Sequence, residues 1–131
     1  MSPATPHVRV LVVDDDRSVR DVLTRALIKR GFAVTSASSG AEALEQLKAA
    51  RFGLMLLDVR MPPGTNGVDL LPLALDLDPA LPIIMLTAVS DLTTAARCMQ
   101  LGARDFLTKP IDLEGLGTAI DKTLGDKAPK T

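Results

Sequence analysis

Short, mostly apolar runs alternate along the chain with stretches of helical periodicity. The runs end abruptly in polar residues, which is typical of strands buried on both faces of a parallel sheet. Between the runs, apolar residues recur every three or four positions, which predicts amphipathic helices that cover such a sheet. The predicted strands are residues 8–13, 32–36, 54–57, 83–86 and 105–107.

Helix start and stop signals divide the stretches between these strands. Ser39 and Glu42 form a capping-box pattern at the start of the second helix. Pro72 must lie in the first turns of the third helix or distort it, and Ser90 or Asp91 is predicted to cap the fourth. Five strands alternating with five helices predict an α/β fold, a doubly wound parallel sheet with helices on both faces.

Chain length and composition indicate one domain in a reducing compartment. Of the 131 residues, 8–124 are predicted to form the domain, 1–7 a flexible arm and 125–131 a polar tail or linker stump. No apolar run approaches the roughly 18 residues that span a membrane, and residues 1–7 do not resemble a secretory signal. A single cysteine, Cys98, cannot form an internal disulfide, so a cytoplasmic location is expected.

Charge and aromatic content argue against a nucleic-acid surface. The net charge is -1, whereas proteins that bind DNA or RNA concentrate positive charge. Only three aromatic residues are present, Phe32, Phe52 and Phe106, which is too few for a base-stacking platform. We therefore expect no direct contact with nucleic acid.

Polar residues collect where the predicted strands end. Three acids at positions 14–16 follow the first strand, Asp58 follows the third, Thr87 the fourth and Lys109 the fifth. Each alone has a plainer explanation, such as a helix cap, a turn or a solvated lysine. Because the carboxyl ends of parallel strands meet at one edge of a sheet, their shared placement instead predicts a binding site there.

Crowded carboxylates at this edge point to a cation and to phosphoryl chemistry. Two unit charges about 4 Å apart repel by roughly 4 kcal/mol at an effective dielectric constant near 20. A divalent cation offsets that cost, and an oxygen-only ligand set suits Mg²⁺ (or Mn²⁺) better than Zn²⁺. Asp58 is then a candidate nucleophile toward a phosphoryl group, with Lys109 and Thr87 placed to stabilise its oxygens.

The sequence resembles one family over about residues 7 to 125, the receiver domain of two-component response regulators. The matching motifs are Val12-Val-Asp14-Asp15, Asp58 with Met61-Pro62, Thr87-Ala88, and Phe106-Leu-Thr-Lys109-Pro110. The resemblance implies a CheY-like, flavodoxin-like sheet of order 2-1-3-4-5. It also implies a signalling switch that is not an enzyme beyond its own phosphotransfer and dephosphorylation.

Residue roles follow from the resemblance. It implies that Asp58 accepts a phosphoryl group from a histidine kinase or phosphotransfer protein. It also implies that Asp15 and Asp58 bind Mg²⁺ (or Mn²⁺) directly, that the main-chain carbonyl of Arg60 is a further ligand, and that Asp14 acts through a water molecule.

The same resemblance implies a conformational switch. Thr87 and Lys109 would contact the phosphoryl group, and Phe106 would turn inward when Thr87 moves. The Lys109–Pro110 peptide bond would be cis. The surface of the fourth helix, fifth strand and fifth helix would then change its affinity for an output domain or protein target, and a homodimer through this surface is left open.

Three alternatives compete with this interpretation. A haloacid-dehalogenase-type hydrolase would use Asp14 as nucleophile and Asp16 as acid, but it leaves Asp58 unexplained. A nucleotide or flavin binder lacks the glycine-rich loop after the first strand. A third alternative is a receiver-shaped module that is never phosphorylated. One departure from the family pattern is the loop 63–66, which is one residue longer than usual.

Overall fold

The computed structural model describes residues 8–125, which form one open sheet with helices on both sides. The predicted arm, 1–7, and residues 126–131 of the predicted tail lie outside the described part of the chain. Strands and helices alternate throughout. They are β1 (Arg9–Val13), α1 (Arg17–Lys29), β2 (Ala33–Ala37), α2 (Gly40–Ala49), β3 (Leu54–Asp58), α3 (Gly67–Leu77), β4 (Ile83–Ala88), a 3₁₀ turn (Val89–Asp91), α4 (Leu92–Leu101), β5 (Asp105–Lys109) and α5 (Leu113–Leu124).

The strand order is β2-β1-β3-β4-β5, and every neighbouring pair is parallel. This confirms the predicted fold class and the order implied by the resemblance. Val13 is in register with Leu57, and Ala88 with Lys109. The carboxyl ends of β1, β3, β4 and β5 therefore meet along one edge of the sheet.

Two apolar layers, one on each face of the sheet, hold the helices in place. Alternate residues of β1 and β3 point to opposite faces, so each strand contributes to both layers. One layer packs against α1 and α5 and takes Val10, Val12, Leu54 and Leu56 from the two central strands. The other packs against α2, α3 and α4 and takes Leu11, Val13, Met55 and Leu57. Every residue of β3 is buried, as the apolar run predicts.

The second helix is capped by side-chain hydrogen bonds as the capping-box pattern predicts, whereas the fourth helix has no side-chain capping hydrogen bond. Ser39 Oγ accepts a hydrogen bond from the Glu42 N–H at 3.2 Å, and Glu42 Oε1 accepts one from the Ser38 N–H at 2.7 Å. Asp91 occupies the cap position of α4, yet its side chain makes no capping hydrogen bond. The N-cap position of α4 is therefore one of the two residues predicted, Ser90 or Asp91, but the Asp91 carboxylate is bound by Arg60 and not by the first N–H groups of the helix.

β4 and β5 each end two residues later than the sequence predicts. β4 continues to Ala88 and β5 to Lys109, with Thr87 opposite Thr108 in the ladder. Backbone hydrogen bonding continues whatever the polarity of the side chains, so hydrophobicity alone ended these strands too early. Thr87 and Lys109 consequently stand on the rigid sheet. The helix α3 continues through Pro72. None of the helices described is long and apolar enough to cross a lipid bilayer.

Candidate phosphoacceptor site

Three acidic residues from two strand ends lie together at the carboxyl edge of the sheet. Carboxylate oxygens of Asp14, Asp15 and Asp58 all lie within 4.8 Å of one another. Asp14 is fully buried, Asp58 is 5% exposed, and Asp15 is exposed to solvent. This cluster results from the parallel pairing of β1 with β3, because that pairing places side by side two strand ends that are far apart in the sequence.

The third acid of the run, Asp16, serves the following helix. Its Oδ1 accepts hydrogen bonds from the N–H groups of Ser18 at 2.8 Å and Val19 at 3.4 Å, which is the geometry of a helix N-cap. The Asp16 N–H in turn donates to Asp14 Oδ1 at 2.9 Å. The Arg20 guanidinium donates to the Asp14 carbonyl at 2.8 Å, a contact that no sequence motif signals. The backbone around Asp14 is thus fixed from several sides.

Lys109 reaches from the end of β5 to two of the acids. Its Nζ lies 2.7 Å from Asp14 Oδ2 and 3.2 Å from Asp58 Oδ2. Burial acts to lower the pKa of Lys109, but the hydrogen bond with Asp14 and the charge of Asp58 outweigh burial and raise that pKa above its ordinary value. The lysine is therefore a permanent positive charge beside the carboxylates.

The surroundings of Asp58 change the pKa of its carboxyl group. Burial, and then the negative charge of Asp14, raise the pKa of Asp58 to about 7. Lys109 opposes this shift without cancelling it. An additional positive charge at the site would favour the ionised carboxylate further.

Thr87 and Phe106 stand on the adjacent strands β4 and β5. Thr87 is 1% exposed, and its single hydroxyl proton is shared between the carbonyl oxygens of Ala88 at 3.2 Å and Asp91 at 3.4 Å. The hydroxyl therefore faces the start of α4. Phe106 is partly buried against the apolar layer beneath α2, α3 and α4, opposite Met85 in the ladder.

Arg60 contacts the site with its backbone and α4 with its side chain. Its N–H donates to Asp58 Oδ1 at 3.3 Å. Its guanidinium binds both carboxylate oxygens of Asp91 and also donates to Thr94 Oγ1 at 3.3 Å. The hydrogen bond from Arg60 lowers the pKa of Asp91 below its usual value. Nothing in the sequence marks this pair, because its members are 31 positions apart and belong to no common motif.

The segment between β3 and α3 folds back against Asp58. A Cβ atom on Gly67 would lie 1.9 Å from the Asp58 carbonyl oxygen, so only glycine allows α3 to begin this close to the strand. The Met61 N–H donates to Asn66 Oδ1 at 2.7 Å, which closes the segment. The Pro62–Pro63 and Lys109–Pro110 peptide bonds are both cis.

The donor set fits a hard divalent cation. The side chains of the cluster, Asp14, Asp15 and Asp58, offer only carboxylate oxygens, and oxygen ligands are what Mg²⁺ and Mn²⁺ prefer. A cleft of about 430 Å³, open to solvent, lies over the site and is lined by Asp15, Asp58, Arg60, Asp91 and Lys109 among others. A hydrated ion and a phosphoryl group could therefore approach the carboxylates from outside.

The open sheet and its charged carboxyl edge define a CheY-like α/β domain. The sequence profile of the response regulator receiver domain matches residues 10–121. The chain therefore belongs to the response regulator receiver domain family, a family of signalling domains of two-component systems.

Relatives and solved structures agree with this assignment. The DNA-binding transcriptional regulator NtrC of Escherichia coli K12 is 42% identical over 115 residues, which are 88% of this chain and 24% of the relative. The transcriptional regulatory protein ZraR of the same strain is 39% identical over 118 residues, which are 90% of this chain and 26% of the relative. The chain thus spans about a quarter of the length of these relatives.

Among solved structures, a CheY-like receiver domain from Methanospirillum hungatei superimposes with a TM-score of 0.86 at 29% identity. The match covers 93% of this chain and 97% of that one. The receiver domain of NtrX from Brucella abortus gives the same TM-score of 0.86 at 27% identity, over 89% of this chain and 98% of the other.

Proposed function

We propose that this receiver domain takes a phosphoryl group on Asp58 from a phosphohistidine of a histidine kinase or phosphotransfer protein. The phosphorus–nitrogen bond of the donor breaks as a phosphorus–oxygen bond to Asp58 forms, and the electron pair stays on the departing imidazole. Hydrolysis later returns the Asp58 carboxylate and inorganic phosphate. The observation that carries the proposal is a nearly buried carboxylate held beside Lys109 under an open cleft.

Lys109 and Thr87 are proposed to bind the transferred group. The Lys109 ammonium lies 3.2 Å from the Asp58 carboxylate, so it is close to the oxygens of any phosphoryl group attached there. Fixed positive charge at that position stabilises the charge that spreads over those oxygens during transfer. The Thr87 hydroxyl can donate to one of them once it leaves its present carbonyl acceptors.

Mg²⁺ (or Mn²⁺) is the proposed cofactor. Asp15 and Asp58 would hold it directly with the main-chain carbonyl of Arg60, and Asp14 would act through a water molecule. When bound, the ion supplies positive charge that offsets the carboxylates and the phosphoryl oxygens. The clustering of three carboxylates within 4.8 Å supports this assignment.

The proposed output is a change in the surface formed by α4, β5 and α5. Movement of Thr87 toward the phosphoryl group would leave space that Phe106 fills, and the two conformations would exchange as a population shift. The changed surface would alter affinity for an output domain, a protein target or a second copy of the chain. Because the curated relatives are named transcriptional regulators, we propose an output that controls transcription.

The hydrolase alternative finds little support at this site. Its nucleophile would be Asp14, which is fully buried and bound by both Lys109 and the Asp16 N–H. Its acid would be Asp16, whose Oδ1 caps α1.

Intact mass after incubation with acetyl phosphate and Mg²⁺ tests the proposal. We expect a gain of one phosphoryl group that is prevented by EDTA, absent in Asp58→Asn and retained in the surface control Asp21→Asn. A gain that survives in Asp58→Asn but is lost in Asp14→Asn would favour the hydrolase. The absence of any gain in the native chain would favour a module that is never phosphorylated.

A further inference from the structure

Asp91, at the start of α4, is bound by two residues that border the proposed phosphorylation site. Its carboxylate accepts hydrogen bonds from the Arg60 guanidinium, including one of 3.2 Å from Nη2 to Oδ1. Its main-chain carbonyl accepts a hydrogen bond from the Thr87 hydroxyl at 3.4 Å. Both partners belong to strand ends or loops beside Asp58, so Asp91 connects that site directly with α4.

The Asp91 carboxylate lies at the N-cap position of α4 but binds Arg60 and not the N–H groups of the helix. In α1, α2 and α5 the cap residue, Asp16, Ser39 or Asp112, accepts hydrogen bonds from the first N–H groups of its own helix. The cap residues of α3 and α4, Asn66 and Asp91, make no such bond; Asn66 Oδ1 is bound by the Met61 N–H, and the Asp91 carboxylate by Arg60. The start of α4, which continues directly from the 3₁₀ turn Val89–Asp91, is thus anchored to the site through the Asp91 carboxylate.

The contact between Arg60 and Asp91 has a defined geometry, and the Arg60 side chain remains accessible from solvent. The Arg60 guanidinium binds Asp91 through two nitrogens and also reaches Thr94, which gives the contact a defined geometry. The Arg60 side chain is 58% exposed and that of Asp91 is 17% exposed. Because the Arg60 guanidinium is accessible from solvent, a second anion in the cleft can compete with Asp91 for it.

A phosphoryl group on Asp58 would be that second anion. Arg60, Asp91 and Asp58 line the same cleft, and the Arg60 N–H is already 3.3 Å from the Asp58 carboxylate. A guanidinium forms charge-assisted, bidentate hydrogen bonds with phosphate oxygens. The added negative charge would also repel the Asp91 carboxylate across the cleft.

We propose that Asp91 is a positioning residue that holds the first turn of α4 in its unphosphorylated arrangement. Arg60 releases Asp91 by turning to the phosphoryl group on Asp58, while Thr87 leaves the Asp91 carbonyl for the same group. The inference rests on the proposed function and adds a release step that is specific to this pair of side chains.

Nuclear magnetic resonance of the amide groups tests this release. The probe is beryllofluoride with Mg²⁺, a non-covalent mimic of a phosphoryl group on a carboxylate. Without the probe, Asp91→Asn and Arg60→Gln should each move the signals of residues 89–96 toward the positions they take in the native chain with probe. Loss of one charge-assisted contact should raise the population of the second conformation roughly fivefold.

The double variant and probe affinity sharpen the test. Because both substitutions remove the same contact, that between Arg60 and Asp91, the double variant should move these signals no further than the single variant with the larger effect. Asp91→Asn should bind beryllofluoride about fivefold more tightly than the native chain, since its Arg60 is free for the anion. Arg60→Gln should bind it more weakly than Asp91→Asn. Asp21→Asn, which removes the exposed pair with Arg17, is the matched control and should change neither quantity.

Each result decides one of the two proposals. If the native chain does not respond to beryllofluoride and Mg²⁺, the proposed function fails and the inference fails with it. If the native chain responds while residues 89–96 of both single variants keep their native signals, the inference alone is overturned. Additive effects in the double variant, or an equal effect of Asp21→Asn, would overturn it as well.

Discussion

The middle and the carboxyl ends of the central strands are equally buried but chemically opposite. Leu11 and Leu56 in the middle are 0% exposed, and so is Asp14 at the end of β1, while Asp58 is only 5% exposed. The leucines are stabilised by leaving water, whereas a buried carboxylate loses hydration and needs partners. The apolar residues in the middle of the sheet therefore stabilise the fold, whereas the buried carboxylates at its carboxyl edge lower that stability.

The largest effect should come from opening a cavity in the middle of the sheet. Leu56→Ala removes a fully buried side chain from the layer beneath α1 and α5, so it should lower the free energy of unfolding by about 2–5 kcal/mol. Leu73→Ala is the matched control, because Leu73 is 45% exposed on α3. Urea titration measures both. Equal losses in the two variants would contradict the assignment of Leu56 to the core.

A smaller loss is expected where the backbone approaches Asp58. In Gly67→Ala the new methyl group would meet the Asp58 carbonyl oxygen, so α3 must shift away from β3. We expect a loss of about 1–3 kcal/mol in the free energy of unfolding, together with slower phosphorylation by acetyl phosphate, because the shift disturbs Asp58, the proposed acceptor.

Gly64→Ala provides the control within the same loop, since a Cβ there would meet nothing within 4 Å. Its stability and phosphorylation rate should stay near those of the native chain. Native behaviour of Gly67→Ala would show that the start of α3 has room that the structure does not give it.

A divalent cation should restore part of the stability that the acidic edge removes. The proposed Mg²⁺ site exists only where the folded chain gathers its carboxylates, so millimolar Mg²⁺ should raise the free energy of unfolding by about 1–2 kcal/mol. The increase should disappear in Asp15→Asn and persist in Asp21→Asn. Thermal unfolding with and without Mg²⁺ measures this, and an unchanged native midpoint would count against the metal assignment.

The smallest expected effect on stability comes from the buried thiol of Cys98. Burial raises the pKa of Cys98 above its ordinary value of 9.0, and the side chain is 0% exposed. The folded thiol therefore keeps its proton above pH 9, where the unfolded thiol loses it, so stability should decline slightly as pH rises there. At pH 8 a thiol reagent should label the native chain roughly 100-fold more slowly than the urea-unfolded chain. Similar labelling rates would show that α4 opens readily.

The sequence was sufficient for the succession of strands and helices, because the period of the hydrophobic residues reflects which positions are buried. Leu54 to Leu57 reads as a strand buried on both faces, and the structure buries every residue of β3. The strand order came from the resemblance, since periodicity alone does not say which strands are neighbours. The lengths of β4 and β5 were underestimated, because Thr87, Thr108 and Lys109 extend the ladder without adding apolar side chains.

The acids and the lysine of the site were visible as polar residues at strand ends, but the contacts around them were not. The Arg60–Asp91 pair and the Arg20 contact with the Asp14 carbonyl join positions that no pattern connects. Such contacts depend on side-chain directions after folding. For the same reason, the sequence indicated Ser90 or Asp91 at the start of α4, where Asp91 lies, but gave no sign that the Asp91 carboxylate binds Arg60.

The central claim is that the charged edge is kept for chemistry at a cost in stability, and Asp58→Asn tests it most directly. In EDTA at pH 8, the substitution removes a negative charge that lies close to Asp14 and Asp15, so we expect the variant to be more stable than the native chain by about 1–2 kcal/mol. It should also lose phosphorylation and the response to Mg²⁺. A variant that is less stable than the native chain under these conditions would contradict the account, because Asp58 would then stabilise the fold.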